Sequence, residues 1–213
     1  MNSKLPFIVI AGPCAVESSE ILEKTAAVVV PVCRDLGVNL MFKSSYKKAN
    51  RSSYGTFESI GTEKALELLY TVGQKWNVPL ITDIHTPDEA LLAAQYVQAL
   101  QIPAFLSRQT ELIVAAASTG KIVNIKKGQF MAPDDVVKAA EKAKAVGNDS
   151  IWLTERGTFF GYHDLTVDFR SLPIMKKSGL PVIYDATHSV QQPSIGKQSG
   201  GLREFIYPLA KAA

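Results

Sequence analysis

The feature of this sequence that most constrains its fold is a regular alternation of short apolar runs with longer helix-like segments. The apolar runs are continuous, as in PLITDIH at residues 79–85 and PVIYDA at residues 181–186. Continuous runs of this kind are typical of strands that are buried on both faces. They recur roughly every 25–35 residues with a helical pattern between them, which predicts a parallel sheet.

Seven strands are predicted from these runs, and a helical pattern follows each of them. The helix ends carry suitable signals, because Gly37 stops the first helix and Thr86 and Pro87 begin the third. The predicted strands cover residues 7–11, 39–44, 79–85, 100–104, 121–126, 150–155 and 181–186. The predicted helices cover residues 18–36, 62–76, 87–97, 110–118, 133–145 and 201–213, and residues 165–177 are only partly helical by pattern.

Two architectures fit this pattern, an open doubly wound sheet and a TIM-type (β/α)8 barrel. The first strand is not followed by the G-x-G-x-x-G segment that would favour a dinucleotide-binding open sheet. Polar side chains follow all seven strands, and in a barrel such strand ends converge on one mouth, which favours the barrel. The polar residues are Cys14, Lys43, Lys48, Asp83, His85, Gln101, Lys126, Arg156 and His188.

The number of predicted strands is one short of a complete barrel. A barrel of this type usually takes about 250 residues, and the sequence has 213. We therefore expect residues 1–213 to form a single barrel domain with about seven of eight strand–helix units, lacking the last unit of its natural fold.

Composition narrows the class of protein. The sequence is 46% hydrophobic and carries a net charge of +3, too small to indicate a nucleic-acid-binding protein. The first apolar run is too short for a signal peptide, and no run is long enough to cross a membrane. Two cysteines are too few for a disulfide framework. The sequence predicts a cytoplasmic protein with reduced thiols and no membrane or nucleic-acid partner.

The most basic stretch is KSSYKKANRSS at residues 43–53, which follows the second predicted strand. Its lysines and arginine stand among hydroxyl and amide side chains with no acidic residue, a composition suited to binding phosphate or carboxylate. A solvated basic loop is the alternative. Taken with Lys126 and Arg156, however, Lys43 and Lys48 would bring four cations to one mouth. That grouping predicts an anionic substrate with more than one acidic group.

Cys14 and His188 follow the first and seventh predicted strands. A thiolate and an imidazole together suit zinc or iron(II), although three protein ligands are usual. Alternatively, Cys14 is a small buried apolar residue and His188 a hydrogen-bonded loop residue. Asp83 and His85 form a charge pair, a general base or a structural contact, and the residues alone leave these alternatives open.

Eight segments, taken together, resemble the 3-deoxy-D-manno-octulosonate 8-phosphate synthase family. KANRSS and QIPAFLSRQT are the most specific of them. The related 3-deoxy-D-arabino-heptulosonate 7-phosphate synthases share the GPC turn and the ERG segment, but they differ at KANRSS and at DATH. The segments, in chain order, are IAGPCAVES, FKSSYKKANRSS, TDIH, QIPAFLSRQT, NIKKGQF, ERGTFFGY, DFRSLPIM and DATHSVQ.

The resemblance implies condensation of phosphoenolpyruvate with D-arabinose 5-phosphate, for lipopolysaccharide synthesis, by a homotetramer. It assigns catalytic roles to Lys43, Lys48, Asp83 and His188. The phosphoenolpyruvate phosphate would lie against Lys126 and Arg156, with Gln101, Pro103 and Ala104 beside it. Asn50, Arg51 and Ser52 would bind the sugar phosphate, Arg108 would reach it from a neighbouring subunit, and Phe105 would help to close that interface.

The resemblance also implies a divalent metal of the Zn, Fe or Mn type, because Cys14 stands where metal-independent members have Asn. Cys14 and His188 would be two of four ligands, and the other two, a Glu and an Asp, are expected beyond Ala213. Residues 54–61 lack the arginine of the family's usual Arg-Gly-x-Gly segment. The alternatives are a heptulosonate phosphate synthase and an inactive barrel fragment.

Overall fold

The computed structural model describes residues 7–49, 58–193 and 200–213. Its strands, in chain order, are β1 (Ile8–Ala11), β2 (Asn39–Lys43), β3 (Leu80–Asp83), β4 (Ala99–Ile102), β5 (Ile122–Lys126), β6 (Ile151–Glu155), β7 (Thr158–Phe159), β8 (Leu165–Thr166), β9 (Val182–Tyr184), β10 (Gln191–Gln192) and β11 (Gly200–Gly201). The helices are α1 (Ser19–Asp35), α2 (Thr62–Trp76), α3 (Pro87–Ala94), α4 (Thr110–Ser118), α5 (Asp135–Lys144), α6 (Ser171–Lys176) and α7 (Ile206–Ala212).

The main sheet has the strand order β1-β2-β3-β4-β5-β6-β9. The pairs β1–β2, β2–β3, β5–β6 and β6–β9 are parallel. Within the described residues, seven strands thus alternate with helices along the chain, as predicted. This confirms the fold class, that of a (β/α)8 barrel with seven strand–helix units. None of the helices in the described ranges is long and apolar enough to span a bilayer.

Two compact units make up the chain, Met1–Leu100 and Gln101–Ala213. A single domain over residues 1–213 stays a prediction. In the first unit, α1 packs on α2 and buries Leu22, Ala26 and Val30. In the second unit, α4 packs on α5.

The turn after β1 is held against the end of β2 by a very close backbone approach. A Cβ atom on Gly12 would lie 2.0 Å from the carbonyl oxygen of Lys43, so only glycine fits there. The Val16 amide donates to the carbonyl oxygen of Ser45 at 2.9 Å. The turn that carries Cys14 and the segment that begins at Lys43 are therefore fixed together.

Several predicted elements have other bounds in the structure, as with the third strand and the third helix, which end earlier, and three further differences are local changes of structure. The fourth strand ends at Ile102, because Pro103 precedes a short 3-10 helix at Ala104–Leu106. The stretch 165–177 begins as β8, which pairs with β7 in an antiparallel hairpin, and only Ser171–Lys176 is helical. The last predicted helix begins as a 3-10 turn at Arg203–Phe205 before α7.

Candidate active site

Polar and charged side chains collect at the carboxyl ends of the parallel strands in both units. They form two groups, one in each unit. The β2–β3 cluster, in the first unit, comprises Lys43, Ser45, Tyr46, Lys47, Lys48, Asp83, His85 and Glu89. The β5–β9 cluster, in the second unit, comprises Gln101, Asn124, Lys126, Arg156, Asp185, His188 and Gln191.

In the β2–β3 cluster, Lys43 and Asp83 form an ion pair at the ends of neighbouring strands. The Lys43 Nζ atom lies 3.8 Å from Asp83 Oδ1. Ser45 Oγ is shared by two lysines, at 3.4 Å from Lys43 Nζ and 2.9 Å from Lys48 Nζ. Burial by itself raises the pKa of Asp83, but Lys43, His85 and Lys48 together hold it well below its usual range. The carboxylate is therefore ionised beside the ammonium group of Lys43.

His85 lies between two carboxylates. Its Nε2 atom is 3.4 Å from Asp83 Oδ2, and its Nδ1 atom is 3.6 Å from Glu89 Oε2. Burial disfavours the imidazolium, but Asp83 and Glu89 outweigh it and raise the pKa of His85 to about 9. At neutral pH the ring is therefore a cation. Of the alternatives considered for Asp83 and His85, this geometry supports a charge pair.

Lys126 forms an ion pair with Asp185 in the β5–β9 cluster. The Asp185 carboxylate also meets His188, whose Nδ1 atom lies 2.8 Å from Oδ2 and whose backbone amide donates to Oδ1 at 2.9 Å. Although burial raises the pKa of Asp185, Lys126 and His188 lower it well below its usual value. An ionised carboxylate only accepts hydrogen bonds, so the Nδ1 atom of His188 carries a proton and donates it to Asp185. The Nε2 atom does not take part in this contact.

Arg156 is buried after β6 and donates from Nη2 to the His188 carbonyl oxygen at 2.7 Å and to Gln191 Oε1 at 3.2 Å. Lys126 pairs in register with Thr154, two residues before Arg156. Because side chains alternate along a strand, Lys126 and Arg156 face the same side of the sheet. The second unit thus brings together two of the four cations predicted from the sequence, and the first unit brings together Lys43 and Lys48.

The other predicted site residues differ in how far they are buried. Gln101 is buried and accepts a hydrogen bond from Asn124 Nδ2 at 3.4 Å. Pro103 and Ala104 are buried, whereas Phe105 and Arg108 are exposed. Cys14 is exposed, so the alternative of a buried apolar thiol is wrong. Asn50, Arg51 and Ser52 lie outside the described residues.

Sequence reasoning missed three side chains of these clusters. Tyr46, Glu89 and Asp185 touch or flank the predicted catalytic residues, yet none of them was predicted to be functional. A signal for Glu89 was present, since Thr86 followed three residues later by a glutamate is a capping-box pattern. Asp185 stands in the DATH segment, but its contact with Lys126 spans 59 residues.

A metal site is only partly supported by these residues. Asp185 fixes His188 in the tautomer that metal-binding histidines adopt, in which the second ring nitrogen donates to a carboxylate. Within the ranges that the structure describes, no group of three or more His, Cys, Asp or Glu side chains is arranged to hold a metal ion. His188 fits a metal ligand, and further ligands are needed.

The sequence was compared with known protein families and with curated proteins. The model of the DAHP synthetase I family matches residues 3–213. A 2-dehydro-3-deoxyphosphooctonate aldolase of Magnetococcus marinus is 52% identical over 213 residues, which is all of this chain and 74% of that protein. Proteins of the same name from Trichlorobacter lovleyi and Granulibacter bethesdensis are each 50% identical over 97% and 100% of this chain, and in both cases over 76% of the relative.

The charge on His85 predicts a pH dependence of stability. Its pKa is about 9 in the folded chain and 6.5 ordinarily, so folding binds the proton more tightly. The contribution is fully present below pH 6.5 and is lost as pH rises towards 9. Urea unfolding between pH 6 and 9.5 should show the free energy of unfolding falling across this window. The fall should be smaller in a His85→Asn variant, and equal slopes would contradict the assignment.

Proposed function

Because the chain belongs to the DAHP synthetase I family, we propose that it condenses phosphoenolpyruvate with D-arabinose 5-phosphate. The products are 3-deoxy-D-manno-octulosonate 8-phosphate and inorganic phosphate. The observation that carries this proposal is the identity of 50–52% with 2-dehydro-3-deoxyphosphooctonate aldolases over 97–100% of the chain. The cations of the β2–β3 cluster and of the β5–β9 cluster support the proposal, since both substrates are anions.

Lys126 and Arg156 hold the phosphate of phosphoenolpyruvate. Both are buried cations on one side of the sheet, with Gln101 and Ala104 on the neighbouring strand and turn. Charge-assisted hydrogen bonds from buried donors are strong because little water competes for them. The ion pair with the Asp185 carboxylate holds Lys126 in place before the substrate arrives.

Lys43 and Lys48 orient the carboxylate and the reacting carbons of phosphoenolpyruvate. Its methylene carbon attacks the aldehyde carbon of the sugar, and water adds to the carbon that carries the phosphate. The resulting hemiketal phosphate expels inorganic phosphate by cleavage of the carbon–oxygen bond. The fixed ammonium groups stabilise the anionic groups throughout, which is electrostatic catalysis by a preorganised site.

We further propose a divalent metal of the Zn, Fe or Mn type, with His188 and Cys14 as two of its ligands. The hydrogen bond of His188 to Asp185 supports a ligand role for His188, and Cys14 is an exposed residue in the turn after β1. The metal would polarise the aldehyde or orient water. The remaining ligands, a Glu and an Asp predicted beyond Ala213, stay a prediction.

The proposal extends to the assembly and the cellular setting. We propose a cytoplasmic homotetramer that supplies a sugar acid for lipopolysaccharide synthesis. Arg108 and Phe105 are both exposed, which suits contacts with a neighbouring subunit. The sugar-phosphate role of Asn50, Arg51 and Ser52 stays a prediction. An inactive barrel fragment is the outcome if no turnover is found.

The description of the family favours a second candidate, 3-deoxy-D-arabino-heptulosonate 7-phosphate synthesis. The two activities differ in the aldose. Phosphate release from phosphoenolpyruvate should be at least about tenfold faster with arabinose 5-phosphate than with erythrose 4-phosphate, a preference of roughly 1.4 kcal/mol. Mass spectrometry should identify an eight-carbon product. Faster turnover of erythrose 4-phosphate would favour the second candidate.

Replacing Lys126 tests the anion site. Lys126→Met removes one cation and leaves the half-buried Asp185 carboxylate without its lysine partner, so phosphoenolpyruvate should bind at least about a hundredfold more weakly. Calorimetry measures the affinity. Lys138→Met is the control, because Lys138 is exposed and pairs only at the surface with Asp135. Unchanged affinity in Lys126→Met would overturn the assignment of the phosphate.

Metal removal tests the cofactor proposal. Dialysis against a chelator should abolish turnover, and Mn²⁺ or Zn²⁺ should restore it. The restored rate should be lost again in Cys14→Ser, because a hydroxyl is a poorer ligand than a thiolate for these ions. A turnover rate that is indifferent to chelation would exclude a metal role for Cys14 and His188.

A further inference from the structure

The geometry points to Glu89 as a positioning residue, one that fixes the charged ring of His85 against Asp83 and so keeps Asp83 beside Lys43. The inference rests on the proposed function, in which Lys43 orients phosphoenolpyruvate. Glu89 itself would touch neither substrate nor metal. It would act indirectly, because Glu89 contacts His85, His85 contacts Asp83, and Asp83 contacts Lys43.

Glu89 is bound to the His85 segment through both backbone and side chain. Its Oε2 atom accepts hydrogen bonds from the backbone amides of His85, at 2.7 Å, and Thr86, at 3.0 Å. The same oxygen lies 3.6 Å from the ring Nδ1 atom of His85. Its other oxygen lies 3.8 Å from Lys47 Nζ. The carboxylate therefore sets both the backbone and the ring of His85.

The ring of His85 is enclosed by charged and aromatic groups. Only 6% of its side chain is exposed, and Tyr46 presents its ring edge-on at a centroid distance of 6.0 Å. The charged groups around it are Asp83 and Glu89, with Lys43 and Lys48 acting on Asp83 and Lys47 acting on Glu89. Burial and Glu89 raise the pKa of the Tyr46 phenol, which stays neutral. An imidazolium between the two carboxylates neutralises their repulsion.

Hydrogen bonding within the cluster is incomplete, which makes its charges matter more. Among the described residues, the buried atoms Asp83 Oδ1, His85 Nδ1 and Tyr46 Oη have no hydrogen-bond partner. The buried Asp83 and His85 atoms are stabilised instead by ionic contacts, of Asp83 with Lys43 at 3.8 Å and of His85 with Glu89 at 3.6 Å. Loss of the negative charge at Glu89 removes one of the two groups that favour the imidazolium.

Helix capping alone does not account for this arrangement. Asp88 stands one residue earlier in the first turn of α3, where a carboxylate also favours the helix N-terminus, and it is exposed. What distinguishes Glu89 is its contact with the His85 ring and with Lys47. A matched pair of substitutions, Glu89→Gln and Asp88→Asn, separates the two roles. Glutamine keeps an oxygen that can accept from the backbone amides.

The first measurement is the titration of His85, followed by ring-nitrogen and ring-proton NMR in the full chain. His85→Asn identifies the signals, since the chain has three histidines. In Glu89→Gln the pKa of His85 should fall by at least about one pH unit, and in Asp88→Asn by less than about 0.3, because Asp88 does not face the ring. Equal shifts in the two variants would overturn the inference.

The second measurement is the turnover number with phosphoenolpyruvate and arabinose 5-phosphate at pH 6 and pH 8. Glu89→Gln should lose about twofold or more at pH 8, where a pKa near 8 leaves half of the His85 rings uncharged, and should match the unsubstituted chain at pH 6, where His85 keeps its proton. His85→Asn should be impaired at both values, and Asp88→Asn at neither. A loss in Glu89→Gln that is the same at both values would indicate a merely structural role and overturn the inference. If the unsubstituted chain turns over neither sugar, the proposed function fails, and the NMR titration alone decides whether Glu89 fixes His85.

Discussion

Pairing of buried or half-buried cations with carboxylates is the interaction on which the ends of the strands depend. Lys43 meets Asp83, Lys126 meets Asp185, and Lys127 meets Glu155 at 3.6 Å. A single charge taken out of water costs several kcal/mol in a protein interior. Each carboxylate therefore offsets part of the cost of holding its lysine there in the absence of substrate. The lysines are consequently in place before an anion binds, which is what a preorganised electrostatic site requires.

The balance of charge leaves room for an anion in the first unit. The cations Lys43, Lys47, Lys48 and His85 face the carboxylates of Asp83 and Glu89. The net charge of this cluster is therefore positive, and an anionic substrate would neutralise it. The carboxylates lower the repulsion among the cations without cancelling their charge. Such a site is stable without a ligand, and it still attracts the anionic substrate that we propose.

Adjacent residues of the same chemical type have opposite roles because the side chains of a strand alternate. Lys126 and Arg156 face one side of the sheet, where we propose that phosphate binds. Their neighbours Lys127 and Glu155 face the other side, where they pair in the interior and are at most 1% exposed. Burial lowers the pKa of Lys127, as expected for an ammonium group away from water. The two lysines of the KK dipeptide are therefore not interchangeable.

The order of strands and helices, the fold class and most strand ends follow from the sequence itself. The fifth strand was predicted at residues 121–126 and spans Ile122–Lys126, since a buried parallel strand needs a continuous apolar run and such runs are local. The secondary structure of residues 165–170 was harder to predict, because the short strand Leu165–Thr166 forms by pairing with Thr158–Phe159. The tertiary structure alone decided which carboxylate holds each cation, as with Lys126 and Asp185, which are 59 residues apart. Charge pairs of this kind leave no periodic pattern in a sequence, and they exist only once the strands have brought their ends together.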